Sequence, residues 1–297
     1  MGAYYARRAG EAEAVAVAIA EHYRPRGAGD ALPASKAGAL LSLADKLDHV
    51  AGAFEAGKIP SGSEDPYGVR RAANGAVRIV LEQGRPLDLR AAAMEMTRPF
   101  FAADPNLAQA DIMKKLGEFL RGRVDTALEE RGVAYATREA ALAARIRMGD
   151  LARPGWCDAA DAFARAQALG AFRGDPRFAP LVILYKRVAN ILKAATEPLP
   201  AALDKARLTE PAEQALLAAL DKATAATAPL WEKKAYAEIL PALLGLEEAI
   251  HAFFDGVMVN VDDAAVRLNR LKLLSDVRDL FVRGWDLSKV VVEGEKI

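Results

Sequence analysis

Hydrophobic positions recur along the chain at the spacing of α-helices. Val and Ile fall at helical intervals, and no convincing run of strict alternation marks a strand. Ala is by far the most frequent residue, and Leu and Arg come next; all three are strong helix formers. The pattern therefore predicts an all-α protein that is helical over nearly its whole length.

Clusters of Gly, Pro and polar residues interrupt the helical pattern. The most pronounced clusters are residues 24–33 (RPRGAGDALP), 57–66 (GKIPSGSEDP) and 149–155 (GDLARPG). The last cluster is the strongest candidate for a domain boundary. We therefore expect two helical bundles, at residues 1–150 and 151–297.

The stretch from Asp65 to Gly84 is the best-marked amphipathic helix. Asp65 suits the N-cap, and Pro66 suits the first turn, where a missing N–H costs nothing. One side faces a core and consists of Val69, Ala73, Ala76 and Val80, whereas the polar arc holds Tyr67, Arg70, Arg71, Asn74 and Arg78. Such an arc can contact RNA phosphates and stack on bases. An ordinary solvated face with salt bridges has the same pattern.

A second cationic helix is predicted over residues 180–195. Pro180 suits its first position. Its polar face carries Lys186, Asn190 and Lys193, with Arg187 at the flank. This face is the best candidate for phosphate contacts in the second bundle. The alternative is a solvated cationic face.

The predicted helix over residues 264–281 places a charge inside its apolar arc. Arg270 lies between Val277 and Phe281, so we expect it to be buried and paired with an acidic side chain or with helix-end carbonyls. The nearby acidic candidates are Asp255, Asp262 and Asp263. The residues expected to face RNA on this helix are Arg267, Asn269 and Lys272.

Charge and composition narrow the functional classes. The 297 residues include 40 basic and 40 acidic side chains, so a globally basic nucleic-acid binder is excluded and a polyanion site must be local. Cys157 is the single cysteine, which excludes a disulfide scaffold and fits a reducing compartment. The apolar stretch 14–20 is too short to span a bilayer, so we expect a cytoplasmic protein without a membrane partner.

Short motifs in order along the whole chain resemble one known family. They are EHYRP (21–25), ADKLD (44–48), PSGSEDP (60–66), VRRA (69–72), KRVANIL (186–192), FFD (253–255) and VRLNRL (266–271). This succession resembles the β subunit of bacterial heterotetrameric glycyl-tRNA synthetase. One departure is Ser61, where the family usually has Thr, and it keeps the hydroxyl.

The resemblance implies a C-terminal part of a longer subunit whose N-terminal part is missing. Residues 1–150 would belong to an HD-like helical domain with its helical extension, and residues 151–297 to a DALR-type anticodon-binding bundle. The implied partners are the tRNA for glycine and the synthetase α subunit, in an α2β2 assembly. ATP and Mg²⁺ act on the α subunit in this family. The resemblance therefore implies no cofactor on this chain and no aminoacylation by the chain alone.

An enzymatic alternative comes from the stretch 44–49. HD-type phosphohydrolases bind a metal through several His and Asp residues. Asp45 and His49 could share a metal, but there are only 3 histidines and none directly precedes an Asp. We therefore predict no metal site and no catalytic residue, and a packing role for Cys157. A metal-dependent phosphohydrolase and a helical interaction module without RNA binding stay open as alternatives.

Overall fold

The computed structural model describes residues 1–60, 64–84, 86–104 and 108–292. Residues 61–63 of the PSGSEDP motif, Ser61 included, lie outside the described residues. Within those ranges every regular element is a helix apart from one two-stranded hairpin, which confirms the all-α prediction. None of the described helices is both long and apolar enough to cross a membrane.

The chain folds into two compact units. The first comprises Met1–Gly132 with Trp156–Phe163, and the second comprises Val133–Gly155 with Ala164–Ile297. The domain ranges expected from the sequence are 1–150 and 151–297. Each is one continuous stretch of the chain, and this division stays a prediction.

The first unit is a bundle arranged around a long central helix. Its helices are α1 (Gly2–Arg8), α2 (Glu13–Glu21), α3 (Lys36–Glu55), α4 (Val69–Gln83), α5 (Leu89–Ala103) and α6 (Gln109–Glu129). Helix α3 packs against α2, α4 and α5, and α4 also packs against α6. Phe54 of α3 contacts Phe119 of α6 in a tilted arrangement with ring centroids 5.2 Å apart. The predicted apolar side of α4 is buried at every position, because it faces this core.

Helix α4 starts later than the sequence predicts. Its N-cap is Gly68, with φ +68°, and not Asp65. Pro66 lies in the turn before the helix and not in its first turn. Asp65 nevertheless caps the helix from outside, because its carboxylate accepts the backbone N–H groups of Arg70 and Arg71 at 3.1 and 3.2 Å. The acidic cap is therefore present, but it acts across the turn.

The second unit is a helical bundle with a small hairpin. Its helices are α7 (Tyr135–Leu142), α9 (Phe178–Ala194), α10 (Pro211–Glu232), α11 (Tyr236–Leu243), α12 (Glu247–Gly256) and α13 (Ala264–Val282). Helix α8 (Ala159–Phe172) begins in the first unit and ends in the second. Tyr185 and Phe281 join α9 to α13 in an edge contact of 5.4 Å. Helix α9 begins two residues before Pro180, which is therefore not its first position.

The segment 149–155, the candidate for a domain boundary, contains the turn and the second strand of a β-hairpin. Strands β1 (Arg145–Met148) and β2 (Leu151–Pro154) pair antiparallel, with Met148 opposite Leu151. Gly149, at φ +60°, makes the turn between them. Each strand has only 4 residues, too few for alternation to be visible in the sequence.

Candidate nucleic-acid interface

The arginines at the start of α4 are held by the segment that precedes it. Arg70 donates from Nη1 to the carbonyl of Glu64 at 2.6 Å. Arg71 is exposed, and its Nε lies 3.7 Å from the Asp65 carboxylate. Burial opposes ionisation of Asp65, but the backbone N–H groups and positive charges of Arg70 and Arg71 outweigh it and lower the Asp65 pKa. Asp65 therefore stays charged and fixes both arginines at the helix start.

The third arginine of this arc is tied to a distant loop. Arg78 donates from Nη1 to the carbonyls of Ala28 and Asp30 at 2.7 and 2.9 Å. Asn74 lies one turn before it and is exposed. Arg71, Asn74 and Arg78 together line a cleft of about 470 Å³ in the first unit. Three of the four predicted residues of α4 thus share one concave surface, whereas Arg70 is not among the residues that line it.

The cationic face of α9 is present in the second unit. Asn190 and Lys193 are exposed, and neither side chain has a polar partner among the described residues. Arg187 is also exposed, and its guanidinium lies 4.1 Å from the centre of the Phe254 ring on α12. Lys186 is half-buried. This face therefore offers a free amide, a free ammonium group and a cation stacked on an aromatic ring.

The outer residues of α13 differ from the prediction. Asn269 is only 3% exposed, and its amide bonds to both the backbone N–H and the carbonyl of Asp204 at 2.9 Å. The expectation that Asn269 faces RNA is wrong, because residues around Asp204 cover this edge of the helix. Arg267 donates to the Val261 carbonyl and to Glu197, at 2.7 and 2.9 Å.

Lys272, the third residue expected to face RNA on α13, also has a partner within the fold. Its Nζ lies 2.5 Å from the carboxylate of Asp276, one turn further along the helix. The Lys272 side chain is 17% exposed. Arg267 and Lys272 stay predicted contacts, but α13 does not present a free cationic row.

Arg270 is buried and paired, as the sequence predicts, although with another acid. It is 8% exposed, and its Nε donates to Glu213 of α10 at 2.5 Å. Its Nη1 donates to the Met258 carbonyl at 2.8 Å. The fully buried Glu213 also accepts the backbone N–H of Glu210, at 3.0 Å, and so closes the start of α10. The nearby aspartates are not the partner; the partner comes from a helix far away in the sequence.

Two residues of these surfaces were missed by sequence reasoning. Arg131, just after α6, donates from Nη2 to Glu82 of α4 at 3.0 Å and lines the cleft beside Arg78. Phe254 lies under Arg187. Phe254 belongs to a motif that carries the family resemblance, but nothing in the local pattern of either residue reveals the contact.

The segment considered for metal binding contains no ligand cluster. No three His, Cys, Asp or Glu side chains come together in the described ranges in a way that could hold a metal ion. His49 Nε2 lies 2.7 Å from the Tyr67 carbonyl. Because a carbonyl only accepts, this nitrogen carries the proton and is not free to bind a metal. Cys157 is fully buried.

The two cationic helices lie in segments that match two known families. The family described as glycyl-tRNA synthetase beta subunit matches residues 1–143, which include α4. The family described as DALR anticodon binding domain matches residues 181–292, which include nearly all of α9 and the whole of α13. These matches define the class of the protein: an aminoacyl-tRNA synthetase subunit that contains an anticodon-binding domain.

Curated relatives specify the particular subunit. The glycine–tRNA ligase beta subunit of Leptothrix cholodnii is 40% identical over 293 residues, which are 98% of this chain and 39% of that protein. The beta subunit of Edwardsiella ictaluri is 42% identical over 288 residues, which are 97% of this chain and 40% of that protein. The chain belongs to the glycyl-tRNA synthetase β-subunit family. It spans about 40% of the length of these relatives.

Proposed function

We propose that this chain is the tRNA-binding part of a glycine–tRNA ligase β subunit. It holds the tRNA for glycine while the α subunit, with ATP and Mg²⁺, activates glycine and attaches it to the tRNA. The proposal includes an α2β2 assembly and places no cofactor site on this chain. One observation carries it: Asn190 and Lys193, which are exposed and unpaired among the described residues, lie inside the segment that matches the anticodon-binding family.

The chemistry of that face supports contact with an anticodon. Single-stranded RNA is read by hydrogen bonds to base edges and by stacking on aromatic rings or guanidinium planes. Asn190 offers a donor and an acceptor, Lys193 offers a phosphate contact, and Arg187 with Phe254 offers a stacking pair. Neither Asn190 nor Lys193 is engaged by another described residue, so both groups are available to a ligand.

The binding test uses the whole chain. We expect it to retard the tRNA for glycine in a gel shift more strongly than an unrelated tRNA. Affinity should fall steeply with salt, since phosphate contacts release counterions. The proposal fails if the folded chain binds neither tRNA, or binds both equally well with no change when Asn190→Ala is introduced.

The catalytic part of the proposal needs a separate assay. With glycine, ATP and Mg²⁺ but no α subunit, we expect no glycyl-adenylate from this chain. Pyrophosphate exchange dependent on glycine measures this step. Exchange by the purified chain alone would place activation on the wrong subunit and overturn this part.

A further inference from the structure

The cleft in the first unit contains an internal anion between two arginines. Arg78 Nε and Arg131 Nη2 both approach the same oxygen, Oε1 of Glu82, at 4.0 and 3.0 Å. The two arginines come from different elements, one from α4 and one from the segment after α6. Two guanidinium groups that converge on one oxygen resemble the arrangement used to bind a phosphate.

Both arginines are fixed in place by backbone carbonyls. Arg78 is anchored by Ala28 and Asp30, and Arg131 donates from Nη1 to the Ala127 carbonyl at 3.1 Å. Their side chains are 30% and 25% exposed. Glu82 is held only by the two arginines among the described residues, and its side chain is 48% exposed. The cations are therefore pre-organised, whereas their carboxylate partner can swing out into solvent.

The rest of the cleft has the size and chemistry of a nucleotide site. Its volume of about 470 Å³ lies within the usual range of small-molecule sites. Arg71 and Asn74 line it along α4, and Glu130 is the other acidic residue of its wall. Three arginines thus face two glutamates, and displacement of Glu82 leaves three facing one.

We propose that this cleft binds one nucleotide of RNA, whose backbone phosphate replaces the Glu82 carboxylate between Arg78 and Arg131. Glu82 then acts as a built-in competitor that holds the arginines in position when no RNA is bound. Asn74 and Arg71 contact the sugar or base beside that phosphate. This inference rests on the proposed tRNA-binding function and assigns a specific subsite to it.

The test removes one positive charge or one negative charge from the cleft and makes the same substitutions at a reference ion pair. Arg98 and Glu95 of α5 form an exposed pair at 3.3 Å in the same unit. The measurements are the dissociation constant for the tRNA for glycine, by fluorescence anisotropy over a salt series, and the thermal melt of each variant. The variants are Arg131→Gln and Glu82→Gln, with Arg98→Gln and Glu95→Gln as charge-matched controls.

We expect Arg131→Gln to weaken binding about eightfold at 0.1 M salt and to reduce the salt slope by about one unit, the effect of one lost phosphate contact. Glu82→Gln should tighten binding roughly threefold, because the competing carboxylate is gone. A gain in affinity at a specific site is not the result expected from partial unfolding, and the thermal melt shows whether each variant is folded. Both control substitutions should leave the dissociation constant within about a factor of 1.5 of the wild-type value, because long-range effects of a single exposed charge are screened by salt.

The proposal is overturned if Arg131→Gln weakens binding no more than Arg98→Gln, or if Glu82→Gln binds no tighter than Glu95→Gln. Titration with inorganic phosphate at constant ionic strength separates another source of the same chemistry. If the cleft variants alter thermal stabilisation by inorganic phosphate but not affinity for tRNA, the cleft binds free phosphate and the RNA assignment is wrong. If the wild-type chain binds no tRNA, the proposed function itself has failed.

Discussion

Helices α4 and α9 carry similar polar residues, but they hold them differently. On α4, Arg70 and Arg78 donate to backbone carbonyls, so their guanidinium groups have fixed directions. On α9, Asn190 and Lys193 project without a partner among the described residues. Fixed cations lose less side-chain entropy when they bind a phosphate. The first surface is therefore suited to a regular RNA backbone and the second to bases whose positions vary.

A second contrast lies within the second unit, between α9 and α13. Both helices carry Asn and basic residues outside their apolar arcs, yet the α13 residues bond to the fold itself. Asn269 holds the backbone at Asp204, and Arg267 holds the Val261 carbonyl and Glu197. Polar residues on α13 should therefore affect the free energy of unfolding, whereas those on α9 should affect RNA binding.

The largest expected effect is that of Arg270→Ala. This substitution leaves the fully buried Glu213 carboxylate without its partner, which costs about 3–5 kcal/mol of unfolding free energy. Denaturant unfolding followed by circular dichroism measures it. Arg267→Ala, which removes a more exposed pair with Glu197, should cost about 1 kcal/mol or less. Equal losses in the two variants would show that the Arg270 pair is not buried as described.

Replacing both members of the buried pair sharpens this result. The double variant Arg270→Met with Glu213→Leu leaves no unpaired charge, so we expect it to be more stable than Arg270→Ala. Unfolding in the same denaturant series gives the comparison. A double variant as unstable as the single one would mean that the lost packing and the lost Glu210 contact dominate over the charge.

Asn269→Ala and Asn190→Ala test the contrast between α13 and α9. Asn269→Ala leaves the N–H and the carbonyl of Asp204 unpaired, at a cost of about 2 kcal/mol. Asn190→Ala removes an exposed side chain and should change stability by less than about 0.5 kcal/mol while reducing discrimination between tRNAs. Thermal melts measure the stability of both variants, and gel shifts with the tRNA for glycine and an unrelated tRNA measure their discrimination. The contrast breaks if Asn269→Ala is neutral for stability but weakens tRNA binding.

The helical pattern predicts which face of each helix is apolar, but not what covers the other face. The buried side of α4 and the burial of Arg270 follow from spacing of three or four residues, which is local information. The burial of Asn269 depends on Asp204, 65 residues away in the chain. Arg131 meets Glu82 across 49 residues. Contacts of this kind are made by tertiary packing, so a single sequence does not reveal them.

The pH dependence of the α4 start tests how its arginines are fixed. The Asp65 pKa is lowered in the fold, so this group stabilises the protein above its unfolded pKa of about 3.9. That stabilisation disappears as the pH falls through the lower folded value. Asp65→Asn should therefore cost about 1 kcal/mol at pH 7, and the difference from wild type should shrink below pH 4. A difference that is constant from pH 7 to pH 3 would contradict a charged cap.

The smallest effect on the fold is expected from Lys193→Gln. Lys193 is exposed and unpaired among the described residues, so its loss should change the unfolding free energy by less than about 0.5 kcal/mol. If it contacts a phosphate, the salt slope of tRNA binding should drop by about one unit. Lys222→Gln on α10 removes the same charge from another exposed site and serves as the matched control. A drop in slope for Lys193→Gln alone assigns the contact to the α9 face. An equal drop in both variants would mean that the salt slope reports only the net charge of the unit. Helix α9 would then be a solvated helix without a specific phosphate contact.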